Sequence, residues 1–123
     1  MTTLVKGQYS GGFLVWEVLR DYTRETVTIA SGAGKLAPGT VLGKITSGGK
    51  YTMLTPGASN GSQNAAGILW GQADATDADA PAVVLVRGPA IVNRHEIIWP
   101  DGITEGQTNT AIAALATLGI LQR

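Results

Sequence analysis

Short apolar runs, each closed by glycine or proline, dominate the chain between residues 26 and 99. Several of these runs are rich in β-branched residues, which favour the extended backbone. Runs of four to eight such residues between turn residues are typical of β-strands. The pattern therefore predicts seven strands, at Thr26–Ala30, Thr40–Ile45, Lys50–Leu54, Ala66–Trp70, Ala82–Arg87, Ala90–Asn93 and Glu96–Trp99.

Glycine-rich turns separate the predicted strands. Pro38-Gly39 precedes the second strand, and Ser47-Gly48-Gly49 lies between the second and the third. Glycine at such positions allows the left-handed backbone that tight reversals need. The second and third strands are therefore predicted to form a β-hairpin, while residues 55–65 and 71–81 are predicted to be loops.

Only one segment has a helical pattern. Thr104 and Gln107 have the spacing of a reciprocal capping box, and Gly119 fits the end of a helix. Ile112, Leu115 and Ala116 form a narrow apolar stripe between these two signals. The sequence thus predicts a helix over Glu105–Leu118, and a fold that is mainly β with one short C-terminal helix.

The first 24 residues differ from the rest. Three glycines alternate with aromatic and apolar side chains, among them Tyr9, Phe13, Leu14 and Trp16. Glycine disfavours a helix here, so one interpretation is an extended arm whose aromatic residues bind a partner. The other interpretation is a first strand folded onto the core. The first predicts an arm over residues 1–24, a compact domain over residues 25–123, and a domain that still folds when residues 2–24 are removed.

Composition limits the possible functions. The 123 residues include nine basic and nine acidic side chains, so the chain has no basic surplus of the kind that nucleic-acid or polybasic membrane binding requires. Without cysteine, neither a disulfide nor a thiolate metal site can form. The N-terminus does not have the pattern of a signal peptide, and the apolar run Ala111–Leu121 is too short to cross a bilayer. We expect a soluble protein made in the cytoplasm.

Possible chemical motifs do not have the spacing that their chemistry needs. Lys35 and Lys50 each follow a glycine, but Leu36 and Tyr51 come next in place of the Ser or Thr that a phosphate-binding loop requires. The aspartates of residues 74–79 do not follow the EF-hand pattern. His95, the only histidine, is the remaining candidate for a general base and supports an enzyme as one alternative. We predict no catalytic residue, cofactor or metal.

Tryptophan supports a further alternative. Trp16, Trp70 and Trp99 would suit a small carbohydrate- or peptide-binding module if they shared one surface. Trp70 and Trp99 end apolar strands, where packing in a core is the usual role. Trp16 lies among glycines and is the better candidate for contact with a partner.

The order of several motifs resembles a known family. The motifs are Arg24-Glu25-Thr26-Val27-Thr28-Ile29-Ala30-Ser31-Gly32, Leu36-Ala37-Pro38-Gly39-Thr40-Val41-Leu42-Gly43, Ala66-Gly67-Ile68-Leu69-Trp70, Asp74-Ala75, Val86-Arg87 and Trp99-Pro100-Asp101-Gly102-Ile103. Together with the N-terminal segment they resemble the lambda-like head decoration proteins of tailed bacteriophages. The resemblance covers nearly the whole chain.

This resemblance implies a structural virion protein that is not an enzyme. Members bind the outer surface of the expanded head as trimers at local three-fold positions, and stabilise it against the pressure of packed DNA. Their fold is a compact β-clip-like domain or small β-barrel, and the arm adds a strand to the major capsid protein. The expected capsid-binding residues are Tyr9, Phe13, Leu14, Trp16, Arg24, Thr26, Val27 and Thr28.

Overall fold

A computed structural model describes residues 12–123 of the protein. Within this range there are ten strands, two α-helices and one 3-10 helix at Arg94–Glu96. The helices are α1 (Arg20–Thr23) and α2 (Glu105–Thr117). The strands are β1 (Leu14–Glu17), β2 (Arg24–Ile29), β3 (Gly34–Leu36), β4 (Val41–Lys44), β5 (Tyr51–Met53), β6 (Ala65–Leu69), β7 (Ala73–Ala75), β8 (Ala80–Leu85), β9 (Ala90–Val92) and β10 (Ile120–Gln122).

Five strands form a ring in the order β2-β5-β4-β6-β8, and β8 pairs with β2 to close it. The β2–β8 ladder is antiparallel and runs from Arg24 opposite Leu85 to Ile29 opposite Ala80. On the other side, β2 meets β5 only at the pair Ile29–Tyr51. The expected mainly-β fold with one short C-terminal helix is confirmed.

Two smaller sheets complete the fold, one with the order β1-β9-β10 and one formed by β3 and β7. The buried apolar side chains form two clusters. The first joins the three-stranded sheet and α2 to the ring through residues such as Phe13, Leu85 and Leu115. The second is centred on Ile29 and Leu69.

The predicted hairpin is present as β4 and β5, with Lys44 opposite Tyr51. Gly48 and Gly49 have φ angles of +91° and +74°, so the turn uses the left-handed region that glycine tolerates. Gly39 also has a positive φ, and a Cβ at this position would lie 2.5 Å from the backbone oxygen of Glu96. A side chain is therefore excluded at Gly39 by both conformation and space.

Helix α2 begins at the capping box that the sequence predicts. The Gln107 backbone N–H donates to Thr104 Oγ1, and the Thr104 N–H donates to Gln107 Oε1, both at 3.0 Å. The chain leaves the helix at Gly119, where φ is +91°. Ala111 and Leu115 are buried against the core, whereas Ala116 of the predicted stripe is exposed.

Two local predictions are wrong, one of a strand and one of a loop. The predicted strand Glu96–Trp99 is absent, because Glu96 ends the 3-10 helix and, of the other three residues, only Ile98 forms a bridge, with Thr40. Asn93 explains the change, since its side chain accepts a hydrogen bond from the His95 N–H and turns the chain.

The segment 71–81, predicted to be a loop, contains β7. Ala73 and Ala75 are buried while Asp74 between them is exposed, a period-two pattern too short to be recognised in the sequence. In residues 12–123, no helix is long and apolar enough to cross a membrane.

Candidate functional site

The residues expected to bind a partner do not share one environment. Tyr9 lies outside the described residues. Phe13 is 2% exposed and belongs to the first core cluster. Its ring packs edge-on against Trp70, with 5.7 Å between the ring centroids. Phe13 is therefore a core residue, and it would have to leave the core to contact a partner.

The segment that follows Phe13 is a strand on the core. β1 pairs antiparallel with β9, with Leu14 opposite Val92 and Trp16 opposite Ile91. Leu14 packs against the first core cluster, whereas Trp16 is 50% exposed. Of the two interpretations of this region, the folded first strand describes Leu14–Glu17. The extended arm does not describe these four residues.

Arg24 holds β1 to the ring. Its guanidinium group forms an ion pair with the Glu17 carboxylate and lies over the Trp70 ring, 3.3 Å from the centroid. Thr23 Oγ1 donates to Glu17 Oε2 at 2.6 Å. The side chains of Arg24 and Glu17 are only 20% and 10% exposed, so the pair is largely shielded from water. In this position Arg24 is a structural residue.

Thr26, Val27 and Thr28 lie in β2. Thr26 and Thr28 are exposed, and Val27 is half-buried. One edge of this stretch pairs with β8 along its whole length. The other edge has no strand partner among residues 12–123 until Ile29 meets Tyr51. An unpaired edge presents backbone N–H and C=O groups to which another extended segment can bind.

The three tryptophans do not form one binding surface. Trp70 is covered by Arg24 on one face and contacts Phe13. Trp99 packs against the first core cluster. Of the three, Trp16 alone is half exposed. The module that would stack a sugar or peptide across all three rings is therefore not assembled in this arrangement.

His95 lies exposed in the 3-10 helix, and in residues 12–123 no three His, Cys, Asp or Glu side chains are grouped to hold a metal. Asp74 and Asp79, in the β7–β8 region, have structural contacts. Hydrogen bonds from Thr76 lower the pKa of Asp74. Hydrogen bonds from Lys50 and the Ser31 backbone lower the pKa of Asp79. Asp74 therefore fixes its own turn, and Asp79, the residue before β8, connects this strand to Ser31 and Lys50.

The sequence gives little sign of two features of this region. Glu17 is one of several charged residues between 17 and 25, and nothing in the spacing distinguishes it as the partner of Arg24. Leu121 is 54% exposed in β10, although it follows a helix and belongs to an apolar run. Its exposure depends on the pairing of β10 with β9, which sequence periodicity does not reveal.

An open strand edge and exposed apolar side chains on a ring-shaped β domain are typical of a protein that binds other proteins. The family model for the bacteriophage lambda head decoration protein D matches residues 3–120, and the chain belongs to this family. No curated protein matches the chain.

Family membership confirms the resemblance seen in the sequence. The family is one of structural phage proteins and is not an enzyme family. It assigns the chain to the phage virion, with a role in decorating the capsid.

Proposed function

We propose that the protein binds the outside of the expanded phage head as a homotrimer at local three-fold positions, and that it stabilises the head against DNA pressure. The family match over residues 3–120 carries this proposal, because it supplies the capsid as partner. The fold suits the role, since the ring and the three-stranded sheet share one core that can transmit load.

The capsid contact is assigned to residues 1–11, which include Tyr9, and to the open edge of β2 at Thr26, Val27 and Thr28. The open edge supports this assignment because an added strand binds through backbone groups that are already in place. Phe13 and Arg24 support the contact indirectly, by holding β1 and the start of β2 on the core.

Three copies in one trimer would bind far more tightly than a single copy. Once one subunit is attached, the other two are held close to their sites at a high effective concentration. A weak single contact is then sufficient for stable decoration of the head, so a small surface on each subunit can serve.

Co-sedimentation with expanded and unexpanded heads tests the proposal. We expect the protein to bind expanded heads, and decorated heads to retain DNA at temperatures that open bare heads. The His95→Ala variant is the matched control, because His95 is exposed and lies on neither assigned surface, and it should bind within a few-fold of the unmodified protein. Equal binding to both head forms, or no protection of DNA, would contradict the proposal.

A further inference from the structure

One face of the three-stranded sheet exposes an apolar row. Trp16 is opposite Ile91, and Leu121 is opposite Ile91 on the other side, so the three side chains lie in one line across β1, β9 and β10. Ala90, Val92 and Ile120 alternate with them and face the core. We call the row of Trp16, Ile91 and Leu121 the apolar ridge.

The ridge is positively charged at one end. Arg123 directly follows β10, and its N–H donates to the Val92 carbonyl at 2.8 Å, so the extended pairing places it on the same side as Leu121, two residues earlier. The Arg94 N–H donates to the Arg123 carbonyl at 3.1 Å, which places the two arginines side by side. Both are exposed, and neither forms an ion pair among residues 12–123.

The second surface is a groove on the β2–β8 side of the ring. Its floor contains Trp70 and Val83, and Thr26 opposite Val83 lines it as well. This groove has a volume of about 410 Å³ and continues, through Thr26 and Val83, into a depression of about 240 Å³. Asp21, Arg24 and Glu25 line the depression, where Arg24 pairs with Glu17 and Glu25 pairs with Arg87. We call the whole feature the acid-rimmed groove. Asp21 has no ion-pair partner within the described part of the chain.

We propose that the apolar ridge of one subunit binds in the acid-rimmed groove of a second copy, and that this contact builds the trimer. The inference rests on the proposed function, from which it takes the trimer. Trp16 and Leu121 would cover Val83 and Trp70, while Arg94 and Arg123 approach Asp21. A ridge and a groove differ in shape, so the contact is head-to-tail, as a three-membered ring requires.

The two surfaces adjoin each other on one subunit. Glu17 extends from β1 to Arg24, and Arg24 lies over Trp70, which lines the groove. A head-to-tail contact between adjoining surfaces turns each subunit sharply relative to the last, which favours a closed ring over a long filament. An exposed apolar ridge on a free monomer would also promote non-specific association, and assembly into the closed trimer removes the ridge from water.

The first test is sedimentation equilibrium of the free protein at micromolar concentration. We expect a trimer. Trp16→Ala and Leu121→Ala should each raise the dissociation constant of the trimer at least about tenfold while urea unfolding remains cooperative. A dimer for the unmodified chain, or a chain that remains monomeric when bound to expanded heads, would overturn the inference. So would a Trp16→Ala variant that remains trimeric and only loses head binding, because Trp16 would then face the capsid.

A charge exchange tests the pairing of the two surfaces. Arg94→Glu with Arg123→Glu, and separately Asp21→Lys, should each weaken the trimer about tenfold, and the combination of all three changes should restore it. Lys35→Glu and Asp77→Lys are matched controls on exposed residues outside both surfaces, and they should have no effect. Failure of the combined variant to recover would show that these charges do not meet.

Cysteine trapping identifies the neighbours directly, because the chain has no native cysteine. A variant with both Leu121→Cys and Val83→Cys should give covalent species that end at three subunits after oxidation. Each single variant has a thiol that faces no other thiol in the trimer, so it should give no covalent trimer. Covalent products larger than three subunits, or no product, would contradict the closed trimer. A trapped ring that does not bind heads would leave this inference intact and contradict the proposed function.

Discussion

The clearest test at the scale of single residues concerns the glycines. Gly39→Ala should reduce the free energy of unfolding by at least about 2 kcal/mol, because φ is positive and the new Cβ would meet a backbone oxygen that cannot move freely. Gly49→Ala adds only the conformational cost, about 1–2 kcal/mol, since its nearest neighbour is the flexible Lys44 side chain at 3.7 Å.

Gly57→Ala is the control for both glycine variants. Gly57 is exposed, its φ is not positive, and a Cβ there would meet nothing within 4 Å. Urea unfolding of the three variants should therefore rank Gly39, then Gly49, then Gly57 in order of lost stability. Equal midpoints for the Gly39 and Gly57 variants would contradict the tight turn at Gly39.

Burial also decides how much an ion pair contributes. Arg24→Ala should cost about 2–4 kcal/mol, since it leaves the Glu17 carboxylate shielded without its partner and uncovers Trp70. Lys50→Ala should cost far less, because the Lys50 and Asp79 side chains are 47% and 41% exposed and water screens their attraction. Urea unfolding measures both, and similar losses would show that Arg24 does not hold β1 to the ring.

At the scale of elements, the capping box of α2 gives a direct prediction. Thr104→Ala should destabilise the protein by about 1 kcal/mol, because the Gln107 N–H loses its acceptor at the start of the helix. Thr110→Ala is the matched control, since the Thr110 hydroxyl donates to the Gly106 carbonyl within the same helix and caps nothing. Thermal unfolding of both variants checks this, and an unchanged midpoint for Thr104→Ala would contradict the role of the cap.

The elements that the sequence predicts correctly are those with local signals. The hairpin depends on Gly48 and Gly49, and helix α2 on Thr104 and Gln107, all within a few residues of the structure that they determine. β7 could not be predicted in the same way. It has three residues and exists because β3, distant in sequence, pairs with it.

The candidate site is less predictable for the same reason. The apolar and aromatic character of residues 9–16 predicts that these side chains become buried. It does not predict whether the chain's own core or another protein covers them. Phe13 is covered by this chain's own core, and Trp16, three residues later, is half exposed. The difference arises from the pairing of β1 with β9, a contact between residues more than 70 positions apart.

At the scale of the whole molecule, two deletions in the N-terminal segment distinguish the residues that stabilise the fold from those that bind the head. The arm interpretation of the sequence predicts that removing residues 2–24 leaves a folded domain. The structure leads to the opposite expectation, because this deletion removes Phe13 from the core, β1 from its sheet, and the Glu17–Arg24 ion pair that covers Trp70. Loss of Phe13 alone should cost about 3–5 kcal/mol, a large part of the stability of a small domain.

A shorter deletion should affect binding alone. Removal of residues 2–11 retains Phe13 and all of β1, so we expect cooperative urea unfolding and a trimer like that of the full chain. Binding to expanded heads should fall at least about tenfold, because each of the three subunits loses the segment that contains Tyr9. Phe13→Ala in the full chain is the contrasting variant, which should unfold at lower urea concentration. If the shorter deletion binds heads normally, the capsid contact lies elsewhere, and the open edge of β2 at Thr26 and Thr28 becomes the principal candidate.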